Sequence, residues 1–275
     1  MKQRAFTLIE LLVVIAIVGI LSSVIYSNIT GLRDRARITA ATRFDSSTLH
    51  TIGDMLVGEW LFDTNASPTL DTSGSGNNGT ISGATYATTS GYNNKGAYSF
   101  DGTNDYITTD TASVFDIYGT NPLTITVWFK TSQTPSVYPA ELVIFTENGQ
   151  GGLSFDKGIE LNTSGKISMY AYDGAQKRAT SIRSLNDGVW HFAVGTYDGI
   201  SLKIFVDGVF NASTDSSSTY NFTIPKIVFS FLKSGNTVYF SGLIDDVRIY
   251  SSALSSSDIQ KLYAEGKAKH AMAGK

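Results

Sequence analysis

In FTLIELLVVIAIVGILSSVI, residues 6–25, Glu10 is the one charged side chain in an otherwise apolar run. A charge in hydrocarbon costs about 2.5–3.5 kcal/mol on insertion scales, so this carboxylate calls for a partner of opposite sign. Other carboxylates gather where oxygen ligands are dense. Asp71, Asp101 and Asp105 stand in the stretches LDTSGSGNNG and FDGTND, and Asp245 and Asp246 are consecutive in LIDDVRIY. Strand alternation puts Leu243, Asp245, Val247 and Ile249 on one face, so if that face is the core, Asp245 is buried and needs a partner. Calcium is one candidate, a hard cation that takes six to eight oxygens. The alternative for Asp71, Asp101 and Asp105 is the Asx turn.

Glycoside hydrolysis asks for two carboxylates on one face, about 5–9.5 Å apart. Glu59, Glu141, Glu147 and Glu160 are scattered singly. Serine is abundant, yet no G-x-S-x-G elbow frames one. The absence of cysteine excludes disulfides, thiolate metal sites and a cysteine nucleophile, without assigning a compartment. A formal net charge of -3 gives no electrostatic case for nucleic acid.

Two kinds of element must position these groups. Residues 6–25 form a helix of about 30 Å, long enough to span a bilayer. Lys2 and Arg4 flank it on the cytoplasmic side, although Arg33, Arg35 and Arg37 beyond it blur that signal. Ile25, Ile29, Leu32, Ala36, Ala40 and Phe44 then recur at helical spacing, which extends the helix to about Ile52. From about Leu56 the texture changes to short Val, Ile, Phe and Tyr-rich runs between Gly, Ser, Thr and Asn clusters. That pattern predicts an all-β sandwich, with LTITVWFKT, VWHFAVGTYDG, LKIFVDGVF, KIVFSFL and LIDDVRIY as its clearest strands. Asp198-Gly199 and Asp207-Gly208 suit hairpin turns, and SSSDIQKLYAEG predicts a closing helix capped by serine and stopped at Gly266.

KQRA followed by FTLIELLVVIAIVGIL resembles the prepilin leader and N-terminal helix of bacterial type IV pilins and type II secretion pseudopilins. The resemblance implies a leader of residues 1–5, cleavage by a prepilin peptidase between Ala5 and Phe6, and N-methylation of Phe6. The usual residue before the cut is glycine, where this chain has Ala5. It also implies a mature helix of residues 6–52, with 6–25 in the membrane before assembly, and a role for Glu10 in filament assembly. The partner of Glu10 would be the N-terminal amine of a neighbouring subunit, a buried pair that fixes register even where its net stabilisation is small.

The segments LVGEWLFD, DTSGSGNNGTISGATY, GAYSFDGTNDYI, LTITVWFKT, GVWHFAVGTYDG, LKIFVDGVF and GLIDDVRIYSSALSSSDIQKLY follow in the order seen in laminin-G-like, concanavalin A-like jelly rolls. The resemblance implies a two-sheet jelly roll over residues 53–266, about six or seven strands per sheet, and a tail at 267–275. Its retaining glycosidases carry a Glu-x-Asp-x-Glu array, which this chain lacks. VWHF resembles the family's Trp-His-His run, which makes His191 a packed, hydrogen-bonded histidine rather than a general base. The resemblance further implies that Asp71, Asp101, Asp245 and Asp246 approach one end of the sheets, where some of them would hold calcium.

These readings converge on a non-enzymatic subunit of a type IV pilus-like filament. It is held in the bacterial inner membrane as a precursor and then displays a jelly roll outside the cell for adhesion or for a glycan or protein ligand. Its partners would be copies of itself, other pilins and the peptidase. The rival readings are a type II secretion pseudopilin and a membrane-tethered binding module that never polymerises.

Overall fold

The computed structural model describes residues 52–109, 120–136, 139–147, 155–172, 175–216, 225–231 and 239–273, together with Leu12 and Ile15. The chain divides into two compact units, Met1–Thr51 and Ile52–Lys275. Ala5, Phe6 and Glu10, with nearly all of the expected long helix, lie outside the described residues. Among the described residues no helix is long and apolar enough to cross a membrane.

In chain order the strands are β1 (Leu56–Trp60), β2 (Gly79–Ser82), β3 (Thr85–Ala87), β4 (Ala97–Asp101) and β5 (Tyr106–Thr109). There follow β6 (Leu123–Lys130), β7 (Ala140–Glu147), β8 (Phe155–Leu161), β9 (Ile167–Tyr172) and β10 (Gln176–Thr180). The last are β11 (Trp190–Tyr197), β12 (Ser201–Val206), β13 (Val209–Asp215), β14 (Pro225–Phe231) and β15 (Ser241–Tyr250), after which comes a helix, α1 (Ser256–Ala273).

These strands build two antiparallel sheets. The larger runs β13-β12-β11-β6-β15-β4-β3, with β1 also paired to β15 as its eighth strand. The smaller runs β10-β9-β8-β7-β14-β5-β2, seven strands. β15 can hold both β4 and β1 along one edge because its first half pairs with β4 and its second half with β1.

β6 shows how the sequence sets the layers. Leu123, Ile125, Val127 and Phe129 alternate onto the inner face, where they meet Ile159 and Leu161 of β8, Met169 of β9, and Ile227 and Phe229 of β14. Each fully buried side chain of this size contributes about 1.5–3 kcal/mol relative to an exposed one. The intervening Thr124, Thr126 and Trp128 are buried too, so the outer face of this sheet is also covered. Its cover is a second apolar cluster, in which Trp128, Phe192, Val194, Phe205 and Tyr250 meet Ile52, Tyr92, Leu254 and, from α1, Ile259 and Leu262.

α1 starts as serine chemistry predicts. Asp258 N donates to Ser255 Oγ at 3.3 Å, and Ser255 N donates to Asp258 Oδ2 at 3.3 Å, a reciprocal cap. Its end differs from expectation, because the helix passes through Gly266 to Ala273. A Cβ at Gly266 would lie 2.8 Å from Trp128 Cζ2, so this glycine lets the helix sit on the indole instead of stopping it. The Asp207-Gly208 step is a hairpin turn as expected: both residues have positive φ, 52° and 77°, between the paired β12 and β13.

Candidate functional site

The structure ties three of the expected calcium aspartates, Asp71, Asp101 and Asp245, to protein hydrogen-bond donors and the fourth, Asp246, to an ion-pair partner. Asp71 Oδ1 accepts from Glu59 N at 3.0 Å and Ser73 N at 2.9 Å, and its Oδ2 accepts from Asn77 N at 2.8 Å and Asn77 Nδ2 at 3.2 Å. Asp101 makes an Asx turn through Thr103 N at 2.7 Å, and its own N–H donates to Asp105 Oδ2 at 2.9 Å.

Asp245 and Asp246 sit at a bulge, where the register against β6 slips between Asp245 and Arg248. Asp246 has φ of 43°. The slip overturns the simple alternation. Ile244, Val247 and Ile249 join the core, Leu243 does not, and Asp245 stands opposite Trp128 on the outer face. Asp245 is nevertheless fully buried, beneath the Tyr92 segment. Its Oδ2 accepts from Tyr92 N at 2.8 Å and its Oδ1 from Asp246 N at 2.8 Å. Burial first, and Asp246 second, hold its carboxyl well above the usual carboxylate range despite those two donors.

Asp246 Oδ1 lies 3.1 Å from Arg248 Nη2, close enough for an ion pair but without the alignment of a hydrogen bond. Arg248 Nε also reaches Glu59 Oε1 at 2.8 Å, which makes a triad across β1 and β15. Burial works against the guanidinium charge, but Asp246, Tyr250 and Glu59 outweigh it and raise the Arg248 pKa. Asp71 meets this network through the Glu59 backbone, Asp246 is part of it, and Asp245 is its chain neighbour. Asp101 bonds to none of these groups. Among the described residues, no three of His, Asp and Glu converge as a metal site.

His191 is packed and hydrogen-bonded, as the sequence predicts. It is 3% exposed, with Nδ1 2.9 Å from Asp207 Oδ2 and Nε2 3.1 Å from Asp187 Oδ1. Arg183 joins both acids, 3.1 Å from Asp207 and 3.7 Å from Asp187. Burial alone would lower the imidazole pKa, but the hydrogen bonds and charges of Asp207 and Asp187 raise it. With both nitrogens engaged, this histidine holds the β12–β13 turn to the segment before β11 and has no lone pair left for a substrate.

Glu141 and Glu160, far apart in sequence, are register partners on β7 and β8. Reading them as single residues missed this pairing, which only the sheet order reveals. Glu160 is fully buried and bonded to Arg178 Nε, an arrangement that suits an ion pair better than an acid-base pair open to substrate.

Among the described residues, the outer face of the larger sheet is uncovered at one end. Trp128 is sealed by Tyr92, stacked at 3.4 Å between centroids. Two residues further along β6, Lys130 stands between Leu243 of β15 and Trp190 of β11 as direct cross-strand neighbours. A cavity of about 460 Å³ opens there, its walls drawn from Lys130–Gln133, Gly188 and Ser241–Leu243.

The described residues thus form a two-sheet jelly roll with a helix over one outer face and an open cavity beside it. The chain belongs to the concanavalin A-like lectin/glucanases superfamily, whose model matches residues 100–260, and a prokaryotic N-terminal methylation motif, of the type found in type IV pilins, matches residues 1–26. A sequence comparison with curated proteins returns no match.

Among solved structures, the chain is similar to domain 4 of AbnA, a GH43 extracellular arabinanase from Geobacillus stearothermophilus, in complex with arabinotriose. That match has 19% identity and a TM-score of 0.57, over 76% of this chain and 98% of that one. It is also similar to a botulinum neurotoxin type C chain whose cell entry depends on interaction with two ganglioside molecules (12% identity, TM-score 0.62, 79% of this chain and 53% of that one). A third is the binding domain of botulinum neurotoxin DC in complex with SialylT (13% identity, TM-score 0.61, 78% and 52%). The chain thus spans about half of the toxin chains. At these identities the likeness is one of fold.

Proposed function

We propose that the chain is a subunit of a type IV pilus-like filament that displays its jelly roll outside the cell as a glycan-binding module. One arrangement carries this reading: a methylation motif at residues 1–26 precedes a separate compact unit of a lectin-type superfamily. Glu10 gives the motif its assembly chemistry, since a carboxylate that is costly in lipid is neutralised by the amine of the next subunit's Phe6. Binding rather than hydrolysis is supported by the engagement of Glu160 with Arg178 and of His191 with two acids.

The test follows the N-terminus. Surface material should begin at N-methylated Phe6, and Glu10→Gln should leave membrane insertion intact while reducing shed filaments relative to the membrane-held pool. A mature chain starting at Met1 with no shed filaments would replace this reading with a tethered module that does not polymerise, and filament yield unchanged by Glu10→Gln would overturn the assembly role of Glu10.

A further inference from the structure

We propose that the cavity above Lys130 binds a carboxylate-bearing saccharide, an inference that rests on the glycan-binding reading and adds a ligand class and a place. The larger sheet's outer face is sealed as far as Trp128 and Asp245. One step beyond, the cross-strand neighbours Leu243 and Lys130 line the cavity, while Trp190, on the other side of Lys130, packs back into the cover against Tyr92. Side chains directly opposite each other in antiparallel strands approach within about 4.5–5.5 Å, so Leu243 and Lys130 form one platform. It presents an apolar side chain and an ammonium. The cavity of about 460 Å³ is of the size that holds small ligands.

The surrounding polar groups are already committed, which leaves the site rigid and the ligand-facing chemistry simple. Thr131 Oγ1 donates to Ser241 O at 2.6 Å. Gln133 is held at both ends, its Nε2 donating to Tyr239 O at 2.7 Å and its Oε1 accepting from Ser241 N at 3.0 Å. Gly188 N donates to Thr131 O at 2.9 Å and closes the third side. Asp187, the acid next to Gly188, is neutralised by Arg183 and His191, and Asp101, the register partner of Ser241, is turned into its own Asx turn.

What remains is Lys130, whose ammonium makes no ion pair or hydrogen bond with the described residues, beside the exposed Ser132. An unspent cation in a fixed polar wall selects an anion, and the apolar Leu243 beside it suits the C–H face of a sugar ring. Preorganised walls keep the ordering cost of binding low.

The experiment uses the full-length chain in detergent micelles and calorimetric titration with trigalacturonate and with its uncharged counterpart, galactotriose. Trigalacturonate should bind at least about tenfold more tightly than galactotriose, the worth of one charge-assisted hydrogen bond, and its affinity should fall as salt rises. Lys130→Gln should lose that same factor, and Leu243→Glu, which sets a like charge against the ligand, should lose at least as much. Both variants are checked for an unchanged melting curve. Trigalacturonate binding unaffected by Lys130→Gln and Leu243→Glu, or equal binding of the two sugars, overturns the proposal. Neutral sugars that bind wild type and Lys130→Gln alike overturn the cavity while leaving the glycan-binding reading in place. A chain that binds no saccharide overturns both.

Discussion

Replacing Gly266 by alanine sets helix propensity against packing. In an exposed helix interior the change would stabilise by about 1 kcal/mol. Here the new Cβ would stand 2.8 Å from Trp128 Cζ2 and 3.1 Å from Cε2 and Nε1. Carbon contacts prefer about 3.5–4.0 Å, so the overlap is near 1 Å. The indole cannot retreat, because Tyr92 is stacked on it at 3.4 Å between centroids, with Phe192 at 4.9 Å and Tyr263 at 5.8 Å around it. Overpacking of this kind costs about 1–3 kcal/mol, more than propensity returns. Gly266→Ala should therefore destabilise by up to about 2 kcal/mol and lower the Tm by up to about 8 °C for a domain of this size. Thermal melting followed by near-UV circular dichroism reads both stability and the Trp128 environment. Ala268→Gly, at an exposed position of the same helix, calibrates propensity alone with an expected loss of about 1 kcal/mol. A Gly266→Ala protein that melts higher than wild type would refute the seating of α1 on Trp128.

Arg248→Met would leave the half-buried Glu59 and Asp246 without their cation and should cost about 1–3 kcal/mol by urea unfolding, whereas no measurable loss would mean that the triad is solvated. Because its folded pKa is raised, charged His191 stabilises fully below its unfolded pKa near 6.5 and loses that contribution as pH rises through the folded value. Wild type should therefore melt lower at pH 8.5 than at pH 6, and His191→Gln should flatten that difference; a flat wild-type profile would mean a neutral imidazole. The calcium proposal turns on Asp245 and Asp246, the two of the four aspartates outside turn cages. Millimolar calcium at a hundredfold excess over Kd would add about 2.7 kcal/mol, so identical melting in calcium and in chelator would return all four aspartates to turns and ion pairs.

The strands were legible where alternation is unbroken. β6 and β12 show their inner and outer residues directly in LTITVWFK and SLKIFV, and the Asp207-Gly208 step marks its own turn. β15 misled because a bulge is a property of two strands. Nothing inside LIDDVRIY records that between Asp245 and Arg248 β15 advances by three residues while its partner β6 advances by two. The Gly266 stop failed for a related reason: glycine reads the same whether it ends a helix or admits an indole, and Trp128 lies far off in the chain. The His191 clamp was legible as a packed histidine, but its acids arrive from a hairpin turn and from the loop before β11. The Lys130 row was not legible, since cross-strand neighbours exist only once sheet order is fixed. The pilin-type segment was the most readable of all, because a lone carboxylate in an apolar run is a local fact.

β1 leads directly from the residues that precede the sandwich, and it lies antiparallel along the second half of β15. Ile52, the first residue of this unit, is itself buried in the cluster that covers the outer face, so the sandwich holds its own entry before β1 begins. The Glu59–Arg248 ion pair lies across the same two strands, and Ser251 N donates to Met55 O at 2.9 Å just beyond their ends. The first strand of the sandwich is thus fastened near the C-terminal end of the last by ladder hydrogen bonds, an ion pair and a backbone hydrogen bond, so the two ends of the fold close on each other.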